Sequence, residues 1–110
     1  MNLFRDNRQY RGTKGGEAIE DAPLFSNASE ARLIERATAG DRMAFDNLTQ
    51  LHSSALGSFL SRRVGLRDLD DVMQETWLAA WASLPQYDRR SKFRTWLFAV
   101  GLNKARDHFR

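Results

Sequence analysis

Eight residues between Leu69 and Leu84 constrain this chain more than any others. Leu69, Val72, Met73, Thr76, Trp77, Ala80, Trp81 and Leu84 alternate steps of three and one. That spacing draws one continuous stripe along an α-helix and fits no β-strand. It predicts a strongly amphipathic helix over about residues 68–84, ended by Pro85, which cannot continue it. Asp68, Asp70 and Asp71 crowd the first turn, where the helix dipole favours negative charge. Asp71, Gln74, Glu75 and Leu78 fall outside the stripe and form a ridge on the solvent side. Capping and the dipole account for the first-turn acids. An acid, an amide, a second acid and a leucine along one exposed ridge suit docking onto a basic partner surface.

The flanking segments share the helical period. Asn27-Ala28-Ser29-Glu30 resembles a capping box. It opens a short helix over 30–39 with Leu33, Ile34 and Ala37 as its stripe and Gly40 as its stop. Asp41 caps a second helix, about 42–64, in which Phe45, Leu48, Leu51, Ala55, Leu56, Phe59 and Leu60 recur at helical spacing. His52 lies beside that stripe, where a packed or surface histidine is the ordinary reading and a ligand the alternative. Arg62 and Arg63 complement the dipole near the helix end or meet phosphate, and Gly65 reads as the C-cap. A polar link, 86–92, leads to a last helix running to the end of the chain, with Ser91 in the N-cap place. One stripe there holds Phe93, Trp96, Leu97 and Val100, and a second holds Phe98, Leu102, Ala105 and Phe109. A helix apolar on two sides is central in a bundle or keeps one side for a partner. Gly101 in mid-helix costs about 1 kcal/mol relative to Ala and reads as an allowance for close packing.

The predicted fold is therefore all-α, a compact bundle of three to four helices. Residues 1–29 carry four basic and four acidic residues and scattered glycines. They read as a flexible N-terminal extension in which Leu24 and Phe25 form a docking anchor or a sticky spot. The chain has 110 residues, room for one domain. No cysteine is present, which excludes disulfides, thiolate metal sites and a cysteine nucleophile and fits a cytoplasmic setting. His52 and His108 show no metal-ligand spacing, so neither cofactor nor metal is expected. No apolar run approaches the ~18 residues that span a bilayer, so no membrane insertion is expected. The net charge of +3 is modest, but its placement is not. From Arg89 onward seven Lys or Arg stand against one acid, Asp107. Basic charge interleaved with aromatics is a means of gripping nucleic acid with unstacked bases.

Two stretches read together: Asp68-Leu69-Asp70-Asp71-Val72-Met73-Gln74-Glu75-Thr76-Trp77 and, after a short polar loop, Phe93-Arg94-Thr95-Trp96-Leu97-Phe98, followed by Asn103 and Asp107. They closely resemble conserved region 2 of bacterial RNA polymerase sigma factors of the extracytoplasmic-function group, in the sigma-70 family. Leu33-Ile34 and Ala39-Gly40-Asp41-Arg42 with Ala44-Phe45 look like the start of that domain. The resemblance covers residues 30–110 and implies a sigma factor domain for transcription initiation. Asp71, Gln74 and Glu75, with Leu78 beside them, would dock on the clamp helices of the largest subunit of core RNA polymerase. The later segment would recognise and help melt the promoter minus-ten element on the non-template DNA strand. The loop from Asp88 to Lys92 would border a pocket for an extruded base. Arg89, Arg90, Ser91, Lys92 and Arg94 would meet the strand there, the basic ones on phosphate. Phe93 and Trp96 would be core or stacking residues, and Asn103, Lys104 and Arg106 would face the strand. Extruding a base costs a few kcal/mol and stacking returns about 1–3 kcal/mol per base, while phosphate contacts add a salt-dependent remainder.

The chain departs from the family pattern in places. No second helical domain, the one that reads the upstream element, follows the basic helix, which suggests a truncated product. Thr49 and His52 stand where aromatics are usual, and Gly101 where a helix-favouring small residue is usual. Two other readings compete. One is a helical protein-binding module held mainly by an anti-sigma factor, and the other a generic binder of single strands without polymerase contact. An enzyme is not expected, since no base, nucleophile or ligand set joins the aspartates.

Overall fold

The structure is a computed structural model that describes residues 27–110. The expected extension, with Leu24 and Phe25, lies outside the described residues up to that point. So does the side chain of Asn27, on which the expected capping box depends. Three α-helices and one short 3-10 turn follow in order: α1 (Asn27–Thr38), α2 (Arg42–Ser83), the 3-10 turn (Leu84–Gln86) and α3 (Phe93–His108). Residues 27–29, counted with the extension from the sequence, belong to α1.

Helices α1 and α2 meet at a local clasp. Gly40 turns the chain with φ +103, a value that favours glycine. Asp41 Oδ1 accepts from the Met43 and Ala44 amides at 3.0 and 3.2 Å, satisfying orphan donors of the first turn of α2. Its Oδ2 receives Arg36 Nε and Nη2 at 3.0 and 2.7 Å. The Arg36 hydrogen bond first, and the Ala44 amide next, hold the Asp41 carboxyl below its ordinary value.

The second and third expected helices follow one another without a loop as the two halves of α2, and they part at Gly65 as the sequence predicts. Gly65 has φ 79 and ψ 165, a combination essentially reserved for glycine. Gly65 ends the first stretch, as a C-cap would, but the second stretch starts at once with Leu66 and Arg67, ahead of the expected Asp68. Along the second half Val72, Thr76, Ala80 and Leu84 are fully or almost fully buried. Thr76 is tolerated there because its hydroxyl donates to the Val72 carbonyl at 2.7 Å. Leu69, Met73, Trp77 and Trp81 pack partly buried beside them.

Helix α3 crosses both halves of α2. Its buried line is Phe93, Leu97, Gly101 and Ala105, so Gly101 stands in the interface, whereas Trp96 and Val100 are half-buried at its margin. A Cβ at Gly101 would come within 3.3 Å of Leu56 and Leu60, a close approach that a glycine permits. On the other flank Phe98 stacks on Phe59 at 4.4 Å, while Phe109 stays 58% exposed. Ser91 is not the N-cap of α3. Lys92 holds that place, without a side-chain cap, because the Tyr87 hydroxyl donates to the Ser91 carbonyl and ties Ser91 into the preceding loop. Among the described residues no helix is long and apolar enough to cross a membrane.

Candidate functional site

The far half of α2 builds the first surface. Asp71, Gln74 and Glu75 are exposed, and Leu78 is 61% exposed despite its size. They stand outward because their neighbours Val72 and Thr76 occupy the opposite, buried face. Beside the ridge Glu75, Leu78 and Ala79 line an open cleft with Lys104, Asp107 and His108 of α3. His108 joins this edge to the first turn of the ridge: its Nε2 lies 3.2 Å from Asp68 Oδ1, and its Nδ1 3.9 Å from Glu75 Oε2. No local pattern announces this contact, because the His108–Asp68 pair is separated by 40 residues.

The loop between the 3-10 turn and α3 builds the second surface. Arg89 has φ 67, a left-handed conformation that costs a non-glycine residue about 1–2 kcal/mol. Asp88 Oδ1 accepts from the Arg90 amide at 3.0 Å, and the Tyr87–Ser91 bond closes the loop. Arg89, Arg90, Ser91 and Lys92 are all exposed. Arg90 pairs loosely with Asp88 at 3.6 Å, a solvated contact of little energetic weight. Lys92 and Arg94 share a cleft of about 410 Å³ with Glu30, Ala31, Ile34, His52 and Phe93, whereas Arg89 and Arg90 stand outside it.

Several expected site residues fall elsewhere. Phe93 is 2% exposed and offers no free ring face, so it is a core residue and not a stacking platform. Its ring is enclosed by His52, Tyr87 and Trp96, at 5.2, 5.9 and 5.5 Å. Trp96 is half-buried and leans on Tyr87 at 5.1 Å. Lys104 is on the cleft beside Glu75 and Leu78, 3.8 Å from Asp107, and not beside the loop arginines. Helical rotation separates it from its neighbours: Arg106 donates to the Asn103 side-chain oxygen and lines a third groove with Arg63, Leu102, Ala105, Phe109 and Arg110. Arg63 covers the Phe59 ring at 3.9 Å, a cation–π contact.

One polar cluster escaped the sequence reading. His52 is 4% exposed, bonded through Nε2 to Glu30 Oε2 at 2.9 Å and receiving Arg94 Nε on Nδ1 at 3.2 Å. Burial, the largest cause, lowers its pKa against the opposing pull of Glu30. The available signal was its spacing, four residues after Leu48 and four before Leu56, which puts it on the buried line although the sequence reading set it beside the stripe; a buried histidine needs partners. Among the described residues no group of three or more His, Asp or Glu is arranged to hold a metal ion.

Comparison with known proteins gives this geometry a context. The model of the family described as Sigma-70 region 2 matches residues 48–110. The chain is 46% identical over 77 residues to the RNA polymerase sigma factor NccH of Alcaligenes xylosoxydans xylosoxydans, covering 68% of this chain and 41% of that protein. The chain thus spans less than half the length of that curated relative. The NMR structure of an engineered region 2 of sigmaE in complex with GTAAAA superposes with a TM-score of 0.70 at 33% identity, over 76% of this chain and 90% of that one. CnrH in complex with the cytosolic domain of CnrY superposes with a TM-score of 0.63 at 40% identity, over 74% and 55% of the two chains.

Proposed function

Because this chain belongs to the Sigma-70 region 2 family, we propose that it docks on core RNA polymerase by its acidic ridge and holds the non-template strand of the promoter minus-ten element along its basic loop. Such a domain acts in transcription initiation, as its family does, and its place of work is the cytoplasm. The observation that carries the reading is the ridge. Asp71, Gln74, Glu75 and Leu78 all stand exposed on one side of a helix whose other side is closed core. Carboxylates flanking an exposed leucine give a partner with basic helices both charge complementarity and an apolar anchor. The clamp helices of the largest polymerase subunit are the partner that the family resemblance supplies.

On the second surface Arg89, Arg90, Lys92 and Arg94 furnish phosphate contacts, and the cleft beside Lys92 and Arg94 gives the strand a recess. No covalent chemistry is required, since opening the duplex is driven by binding energy alone. The deciding experiment is a pull-down of core polymerase by this chain, with and without a promoter-strand oligonucleotide. Asp71→Ala combined with Glu75→Ala should weaken capture severalfold while the thermal transition stays in place. Undiminished capture would remove the docking role.

A second reading rests on one observation. CnrH, 40% identical, is solved with the cytosolic domain of CnrY, so a protein ligand on this fold has a precedent. An anti-sigma factor covering the exposed Leu78 or Phe109 would hold the chain away from polymerase. Competition between such a protein and core polymerase for the wild-type chain, lost in the ridge double variant, would support it.

A further inference from the structure

We propose that His52 is a positioning residue that orients the Arg94 guanidinium for the bound strand through its Nδ1 atom, an inference that rests on the strand-holding reading above. His52 belongs to the buried line of α2 with Leu48 and Leu56. Arginine has donors and no acceptor. The 3.2 Å contact from Arg94 Nε to His52 Nδ1 therefore requires a bare lone pair on Nδ1. The ring proton is then on Nε2, where it is donated to Glu30 Oε2 at 2.9 Å. The Phe93 ring, 5.2 Å away and tilted by 45°, packs against the imidazole. Glu30 thus selects the tautomer, and the tautomer presents the acceptor that holds Arg94.

The consequence for binding follows from the shape of the guanidinium. Fixing Nε fixes the plane of the whole fork. Its two terminal NH2 groups have no hydrogen bond or ion pair among the described residues, so they remain for a phosphate, which arginine grips with two parallel bonds. A flexible surface arginine would have to give up side-chain freedom on binding. Arg94 is already ordered by a group that touches no ligand itself.

The charged and titratable groups that face His52 are Glu30 from α1 and Lys92 and Arg94 from the start of α3. Burial keeps the ring neutral, and its folded pKa lies below the ordinary 6.5. A group with a depressed folded pKa gives its full stabilisation above the unfolded value and loses it as pH falls through the folded one. Protonation puts a hydrogen on Nδ1, turning the acceptor for Arg94 into a donor. Strand affinity should therefore fall, and not rise, on mild acidification.

Two substitutions separate positioning from mere packing. His52→Asn places an amide oxygen near the Nδ1 position, keeping the acceptor for Arg94 and losing the bond to Glu30. His52→Gln reaches the Nε2 position, keeping Glu30 and losing the acceptor. The probe is a labelled single strand containing GTAAAA, titrated at low salt with the whole chain and read by fluorescence anisotropy. The Gln variant should bind about three- to tenfold more weakly, the worth of one hydrogen bond, while the Asn variant stays within about twofold of wild type. In an Arg94→Ala background the Gln change should have no further effect. Arg94→Ala that weakens binding, with the Gln variant unchanged or both His52 variants equally weak, overturns the inference alone. Arg94→Ala without effect, or no binding by the wild-type chain, overturns the strand-holding reading of this cleft and the inference with it. Should the Gln variant not fold, the wild-type pH profile decides. Affinity that falls with acid in wild type but not in Arg94→Ala supports the inference, and a level or rising profile overturns it.

Discussion

Asp41 does two jobs with one carboxylate. One oxygen closes the first turn of α2 and the other receives Arg36 from the end of α1. Both contacts need the ionised form, and the lowered pKa expresses that need. The stabilisation is full above the unfolded value near 4 and is lost as pH falls through the lower folded one. Asp41→Asn keeps a good cap but surrenders the ionised partner of Arg36. Its melting temperature should lie a few degrees below wild type at pH 7, and the two should converge towards pH 2. Thermal unfolding followed across that range checks this. Asp41 was legible in the sequence because its partners lie within five residues. His52 was not, because Glu30 and Arg94 stand 22 and 42 positions away. No local pattern announces a pairing of that length.

The elements themselves were legible by their periods. The stripe from Leu69 to Leu84 is buried or half-buried throughout, and the boundary at Pro85 falls within the 3-10 turn. What the periods did not reveal was how elements join. Gly65 reads as a C-cap and does end one helical stretch, but only the backbone shows that the next stretch begins at the following residue, with no loop between them. The same limit applied to α3, where Ser91 had the chemistry of a cap but Tyr87 had already engaged its backbone. Gly65→Ala tests the bend directly. Placing a Cβ at φ 79, ψ 165 should cost about 1–3 kcal/mol, although nothing lies within 4 Å of that Cβ. Chemical denaturation should show this loss. A neutral change would mean that α2 straightens at no expense.

Across the whole molecule the ridge and the loop behaved differently under sequence reasoning. The ridge lies on one straight half-helix, so its four residues were bound to emerge together. The expected strand contacts came from a loop and a helix, and rotation along α3 sends Lys104 towards Glu75 while Arg106 faces Arg63. Proximity in sequence therefore overstated the size of the basic face. The loop remains its centre. Reversing Arg89, Arg90 and Lys92 to Glu should weaken single-strand binding and reduce the salt slope of log affinity by about 2, at roughly 0.7 per phosphate contact. An unchanged slope would place the phosphate grip elsewhere. The bend at Gly65 has one more effect at this scale. The half-helix bearing Asp71 to Leu78 meets the half bearing His52 at a single articulated residue, and α3 lies across both as a brace. The angle at that joint sets where the Glu30 and His52 wall of the Lys92–Arg94 recess stands against the ridge, so the placing of the two proposed docking surfaces depends on one glycine that lines neither.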